Sequence, residues 1–98
     1  MIVCLTKPNI EKTSETLNLI AQPLRLQIIC MLNKQEKVCV YEMIEKFKIK
    51  QNLISHHLSM LKRIWIVKTQ RQWVKIFYSL EKKVYEKFKT NLQNIFNI

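Results

Sequence analysis

The 98-residue chain contains no glycine, two prolines and three cysteines. Without glycine it has no glycine-rich loop whose backbone amides could cradle a phosphate, which excludes the nucleotide-binding loops built that way. Cys4, Cys30 and Cys39 are odd in number and widely spaced, so they form no disulfide framework and fit free thiols in a reducing compartment. No apolar run exceeds five residues, as in Ile28 to Leu32, whereas a membrane-spanning helix needs roughly 20. The opening MIVCLTKPNI lacks the basic region of a signal peptide, and the expected location is the cytoplasm, away from membranes. Acidic residues are scarce, seven against seventeen basic ones. No paired carboxylates stand in a recognisable motif and no Cys–His pair has a clear partner, so no enzyme is expected.

At 48% apolar and 24% charged, the composition is that of a globular protein, and the length fits one domain over residues 1–98. The net charge of +10 favours a polyanionic partner. Lysine, isoleucine and asparagine, all read by AT-rich codons, supply 34 of the 98 residues, so the placement of the charge carries more weight than its sum. Residues 1–23 are neutral, 24–63 carry +5, 64–80 carry +3 and 81–98 carry +2. Between Lys46 and Lys75 stand eight basic residues and no acidic one, the pattern of a surface that tracks phosphates.

Apolar spacing divides the chain into elements. Ser14, with Leu17, Ile20 and Ala21, predicts a short amphipathic helix capped by the serine. Pro23 opens a second helix whose stripe is Leu24, Ile28, Met31 and Leu32, ending near Asn33 to Lys37. Val38 to Val40 are extended by preference, and Met43, Ile44 and Phe47 predict a short helix over Tyr41 to Phe47. A polar hinge, Lys48 to Lys50, leads into a helix over Gln51 to Arg63, with Ile54, Leu58 and Leu61 at i, i+4 and i+7. Val67 to Arg71, a break at Gln72-Trp73, and Val74 to Leu80 read as a β-hairpin, with Val74, Ile76 and Tyr78 on one face and Lys75, Phe77 and Ser79 on the other. Val84, Phe88, Leu92 and Ile95 mark a last amphipathic helix.

The result is mainly α with a small β-hairpin, in the order α-α-α-α-β-β-α of a winged helix-turn-helix. The second helix of the tight pair enters the major groove in that architecture. Gln51, Asn52, Ser55 and His56 lie at its start and middle. Gln and Asn can bind adenine bidentately, and Ser and His suit base edges or phosphates. Lys50 and Lys62 at its two ends, with Lys68, Arg71 and Lys75 on the hairpin, are the candidate phosphate contacts. The partner expected is double-stranded DNA. The alternative is a basic winged-helix interaction or membrane-surface module without sequence-specific DNA binding.

The runs PLRLQIICML, VCVYEM, QNLISHHLSMLK and IFYSL resemble the ArsR/SmtB family of winged-helix repressors, in the same order and near the usual spacings, over roughly residues 17 to 80. The most specific part is Ser55 to Leu58, followed by Phe77 to Leu80. The resemblance implies a homodimer joined through its first and last helices, about residues 11–22 and 82–97, a palindromic operator, and release when an inducer is sensed, commonly a metal ion or a thiol oxidant.

Departures from the family pattern bear on sensing. Many metal-sensing relatives have Cys-Val-Cys-Asp-Leu where this chain has Cys39-Val40-Tyr41-Glu42-Met43, leaving one thiolate. The family's other metal site uses His and carboxylates on the last helix, which here has no His and only Glu86. His56 and His57 point about 100° apart on a helix and do not chelate together. No metal site or cofactor is therefore expected. The thiol- and persulfide-sensing branch has a cysteine at the position of Cys30, but its partner position falls on Asn97. Cys30 alone reads as a buried core cysteine, with Cys4 as a replacement partner and a Cys4–Cys39 pair as a further alternative. The inducer is left open. Trp65 and Trp73 stand where the family has glycine. With no glycine in the chain, the sequence suggests a gene that uses UGA for glycine, with tryptophan written at those two positions.

Overall fold

In the computed structural model, which describes residues 7–97 and side chains from Ile10 to Asn97, the chain forms five helices and a three-stranded antiparallel sheet. Helix α1 runs Lys7–Ile20 and α2 Pro23–Lys34. Strand β1 (Val38–Cys39) leads directly into α3 (Val40–Phe47), and α4 is Gln51–Arg63. Strands β2 (Val67–Gln72) and β3 (Lys75–Leu80) form the wing, and α5 (Lys82–Phe96) closes the chain.

The first helix begins seven residues before the expected Ser14, which lies inside it rather than at its cap. Pro8 sits in the opening turn, where a missing N–H costs nothing. Pro23 starts α2 as expected, after an extended Gln22 at φ −131° whose carbonyl accepts the Leu26 N–H. The buried side of α2 is Arg25, Ile28, Ile29 and Leu32. The expected stripe is thus rotated by about one position, with Leu24 and Met31 only half-buried. That rotation turns Cys30 outward: it is exposed, which corrects its reading as a core cysteine, while Cys39 is buried.

Two local devices set α3 and α4. Glu42, in the first turn of α3, accepts the backbone N–H of Cys39 at 3.2 Å, satisfying a donor that the helix start leaves unpaired. At the other end Lys48 takes a left-handed conformation, φ 56°, and returns its N–H to the Ile44 carbonyl at 2.9 Å. This closes the tight turn before α4. The expected stripe of α4 holds: Ile54, Leu58 and Leu61 have no exposed surface. With Ile28, Val38, Met43 and Ile66, also fully buried, they form the centre of the core. Each such side chain contributes about 1.5–3 kcal/mol through burial.

A third strand, absent from the expected hairpin, is supplied by β1, which pairs with β3 through Val38–Tyr78 and Cys39–Phe77. The wing closes through a two-residue turn, Trp73-Val74, because Gln72 pairs with Lys75. Gln72 therefore belongs to β2, and Val74 lies in the turn rather than on a strand face. Trp73 has φ 61°, and Trp65, in the turn between α4 and β2, has φ 65°. A positive φ at the first central residue alone is the pattern of a type II′ turn, which favours glycine there. A side chain with a Cβ pays about 1–2 kcal/mol in that conformation.

The outermost helices α1 and α5 pack on each other, and α5 has no buried residue. Val84, Phe88, Leu92 and Ile95 are only half-buried, Phe96 is exposed, and Ile10 and Leu17 are exposed on α1. No described helix is long and apolar enough to cross a membrane.

Candidate nucleic-acid interface

The core fixes the orientation of α4, and so fixes which side chains face outward. With Ile54, Leu58 and Leu61 turned wholly inward, Gln51, Asn52, Ser55 and His56 are all exposed on the opposite side. The structure thus brings these four candidate readers onto one solvent face, flanked by exposed Lys50 before the helix and Lys62 in its last turn. Ser59 and Arg63 extend the same exposed surface. Sequence reasoning missed Ser59, although it follows Ser55 by one helical turn, and placed Arg63 only within the basic run. Ser59 Oγ donates to the His56 carbonyl at 2.7 Å, and Asn52 Oδ1 accepts the Leu53 N–H at 3.0 Å.

All eight basic residues from Lys46 to Lys75 are exposed. Among the described residues only Lys68 of this set pairs with a carboxylate, Glu81 at 3.9 Å, an exposed pair of little strength. The wing cations divide between two faces. Pairing of Lys68 with Ser79 and of Gln72 with Lys75 puts Lys68 and Lys75 on one face, whereas Arg71, opposite Ile76, shares the face of Val67 and Leu80 that enters the core. Lys37 braces the first face: its Nζ donates to Gln72 Oε1 at 2.9 Å and lies 4.7 Å from the centre of the Phe77 ring. Trp73 and Val74 at the tip are almost fully exposed.

Behind the reading face, His57 behaves differently from its neighbour. Its Nδ1 accepts the Arg25 Nε–H at 3.0 Å. Its pKa is pushed below the ordinary histidine value by burial, then by the positive charge of Arg25 and by His56. The two imidazoles lie edge to face, 5.5 Å apart. Neither Arg25 nor this role of His57 was singled out from sequence. Of the candidate thiols, Cys30 is exposed and Cys39 is buried, and Cys4 lies outside the described residues. No three His, Cys, Asp or Glu side chains gather as a metal site among the described residues.

Residues 22–69, which hold α2, α3, α4 and the first residues of the wing, match the family described as "Bacterial regulatory protein, arsR family". An HTH-type transcriptional regulator of Methanocaldococcus jannaschii, MJ1325, is 37% identical over 68 residues, covering 69% of this chain and 76% of its own. The chain belongs to the ArsR family. Solved structures of regulators of this type superpose on most of the chain. HlyU from Vibrio cholerae superposes with a TM-score of 0.76 at 28% identity, covering 95% of this chain and 100% of that one. PagR of Bacillus anthracis, a transcriptional repressor, superposes with a TM-score of 0.71 at 30% identity, covering 87% and 98%. In ArsR terms the molecule is a winged helix-turn-helix transcriptional regulator, with α3 and α4 as the helix-turn-helix and β2–β3 as the wing.

Proposed function

We propose that this ArsR-family chain is a repressor that binds a palindromic operator as a homodimer, reading bases with Gln51, Asn52, Ser55 and His56 of α4. The observation that carries this reading is the two-sidedness of α4. One side is locked into the core without exposed surface, and the other offers a row of polar side chains amid cations with no acidic neighbour between Lys46 and Lys75. Lys50, Lys62, Lys68, Arg71 and Lys75 supply phosphate contacts, which set affinity and register but carry no sequence information.

The exposed apolar residues on α1 and α5 support the homodimer, since a second copy would cover Ile10, Leu17 and Phe96 together. A two-fold dimer requires half-sites separated by about one turn of DNA. Release from DNA would run through a thiol rather than a metal. Cys30 is the described cysteine open to an oxidant or persulfide donor, and Cys39 is closed to both. Footprinting on the DNA upstream of the gene, with and without thiol oxidant, tests the reading. A protected palindrome that opens on oxidation supports it. Binding to anionic vesicles with no duplex protection would instead favour the interaction-module alternative.

A further inference from the structure

Arg25 is a buried arginine, 6% exposed, with no carboxylate partner among the described residues. Its Nε–H donates to His57 Nδ1 at 3.0 Å and its Nη1 donates to the Leu19 carbonyl at 2.8 Å. Leu19 lies in the last turn of α1, where carbonyls lack intrahelical partners and the helix dipole is negative. One side chain on α2 therefore ties the end of α1 to the reading helix. His57 stands between His56, on the exposed face, and Leu58, with no exposed surface, so a rotation of α4 that broke this bond would also re-aim the readers.

The bond sets the state of the imidazole. To accept at Nδ1, His57 must be neutral with its proton on Nε2. Protonation would set an N–H against the guanidinium N–H, two cations in contact. The charges that act on His57 are Arg25 from α2 and His56 from its own helix, while α1, α3 and β2, which also pack on α4, add none among the described residues. No acidic group compensates a proton there.

We propose that the Arg25–His57 bond pins the orientation of the reading helix to the end of α1, so that acid, or loss of either partner, lowers the preference for operator over random duplex. Arg25 and His57 are thus positioning residues, and the proposal rests on the DNA-reading function above. The test uses the full chain in two measurements. Anisotropy titrations compare the upstream duplex with a scrambled one from about pH 7.5 to about pH 5.5. NMR follows the titration of the His57 imidazole without DNA. The operator preference should fall over that range, by less than tenfold because His57 titrates below the ordinary histidine value of about 6.5. His57→Asn, whose Oδ1 is carried on Cγ as the accepting Nδ1 is, should keep the preference and lose its pH dependence. Equal acid loss in His57→Asn overturns the proposal. A wild-type chain with no preference at any pH overturns the DNA reading instead, and the NMR titration then decides the pin alone. His57 should titrate higher in Arg25→Gln, which removes the positive charge beside it, and an unchanged titration overturns it.

An independent observation concerns the two tryptophans. They are the only ones in a chain with no glycine, and both take positive φ, 65° and 61°, a region that non-glycine residues other than Asn and Asp seldom occupy. Both indoles stand in solvent, 74% and 95% exposed, so neither gains packing in return. We infer that positions 65 and 73 are glycine in the native protein, encoded by UGA read as glycine. The codons at both positions and the intact mass of the protein from its own source test this. UGA codons and a mass two Trp-to-Gly exchanges lower are expected, and UGG at either position overturns it.

Discussion

Ile54 and Ser55 are consecutive in α4, yet Ile54 has no exposed surface and Ser55 is exposed. A helix advances about 100° per residue, so a fully buried Ile54 commits Ser55 and its neighbours to solvent. The core and the reading face are two sides of one constraint.

Truncating that core should be felt at once. Leu58→Ala or Ile54→Ala should destabilise the fold by about 2–5 kcal/mol, through lost burial and the cavity left behind. Denaturant unfolding followed by circular dichroism measures the loss. A change within about 0.5 kcal/mol would contradict the burial described.

The wing should contribute affinity without discrimination. Lys75→Ala should weaken operator and scrambled duplex alike, and lower the slope of log affinity against log salt by about 0.9. Lys68→Ala should do so less strongly, because Glu81 already stands 3.9 Å from its ammonium. Titrations at several salt concentrations separate the two.

Stability should also depend on pH through His57. Its pKa is lowered in the fold, chiefly by burial, so below the unfolded value of about 6.5 the unfolded chain takes up a proton that the folded chain refuses. The contribution is therefore intact above that value and is lost as pH falls toward the depressed folded pKa. Unfolding curves at a series of pH values should show the decline, and His57→Gln should reduce it.

Relief of the left-handed turns should be visible in the recombinant chain. Trp73→Gly and Trp65→Gly should each stabilise the fold by about 1 kcal/mol, since glycine takes positive φ without the penalty of a Cβ. Thermal unfolding should move upward in both variants. Destabilisation would show that the indoles contribute contacts of their own.

What the sequence made legible follows from how local each signal is. The limits of α4 were readable because Ile54, Leu58 and Leu61 repeat at one helical spacing across its length. The early start of α1 was missed because Ser14 was read as the cap, whereas the helix opens through Pro8, which is tolerated in a first turn. Strand β1 has two residues, too few for an alternating pattern, and its existence depends on pairing with β3. The Arg25–His57 bond joins positions 32 apart, and neither residue type announces such a partner. The exposure of Cys30 follows from the roll of α2, set by Arg25 and Ile29 facing inward.

The most direct measurement compares operator and scrambled duplex at fixed salt for wild type, Ser55→Ala and His56→Ala. The account predicts that each substitution removes about 1–3 kcal/mol of discrimination while binding to scrambled duplex hardly changes. If His56→Ala and Ser55→Ala bound both duplexes with wild-type affinities, α4 would not be the element that reads DNA.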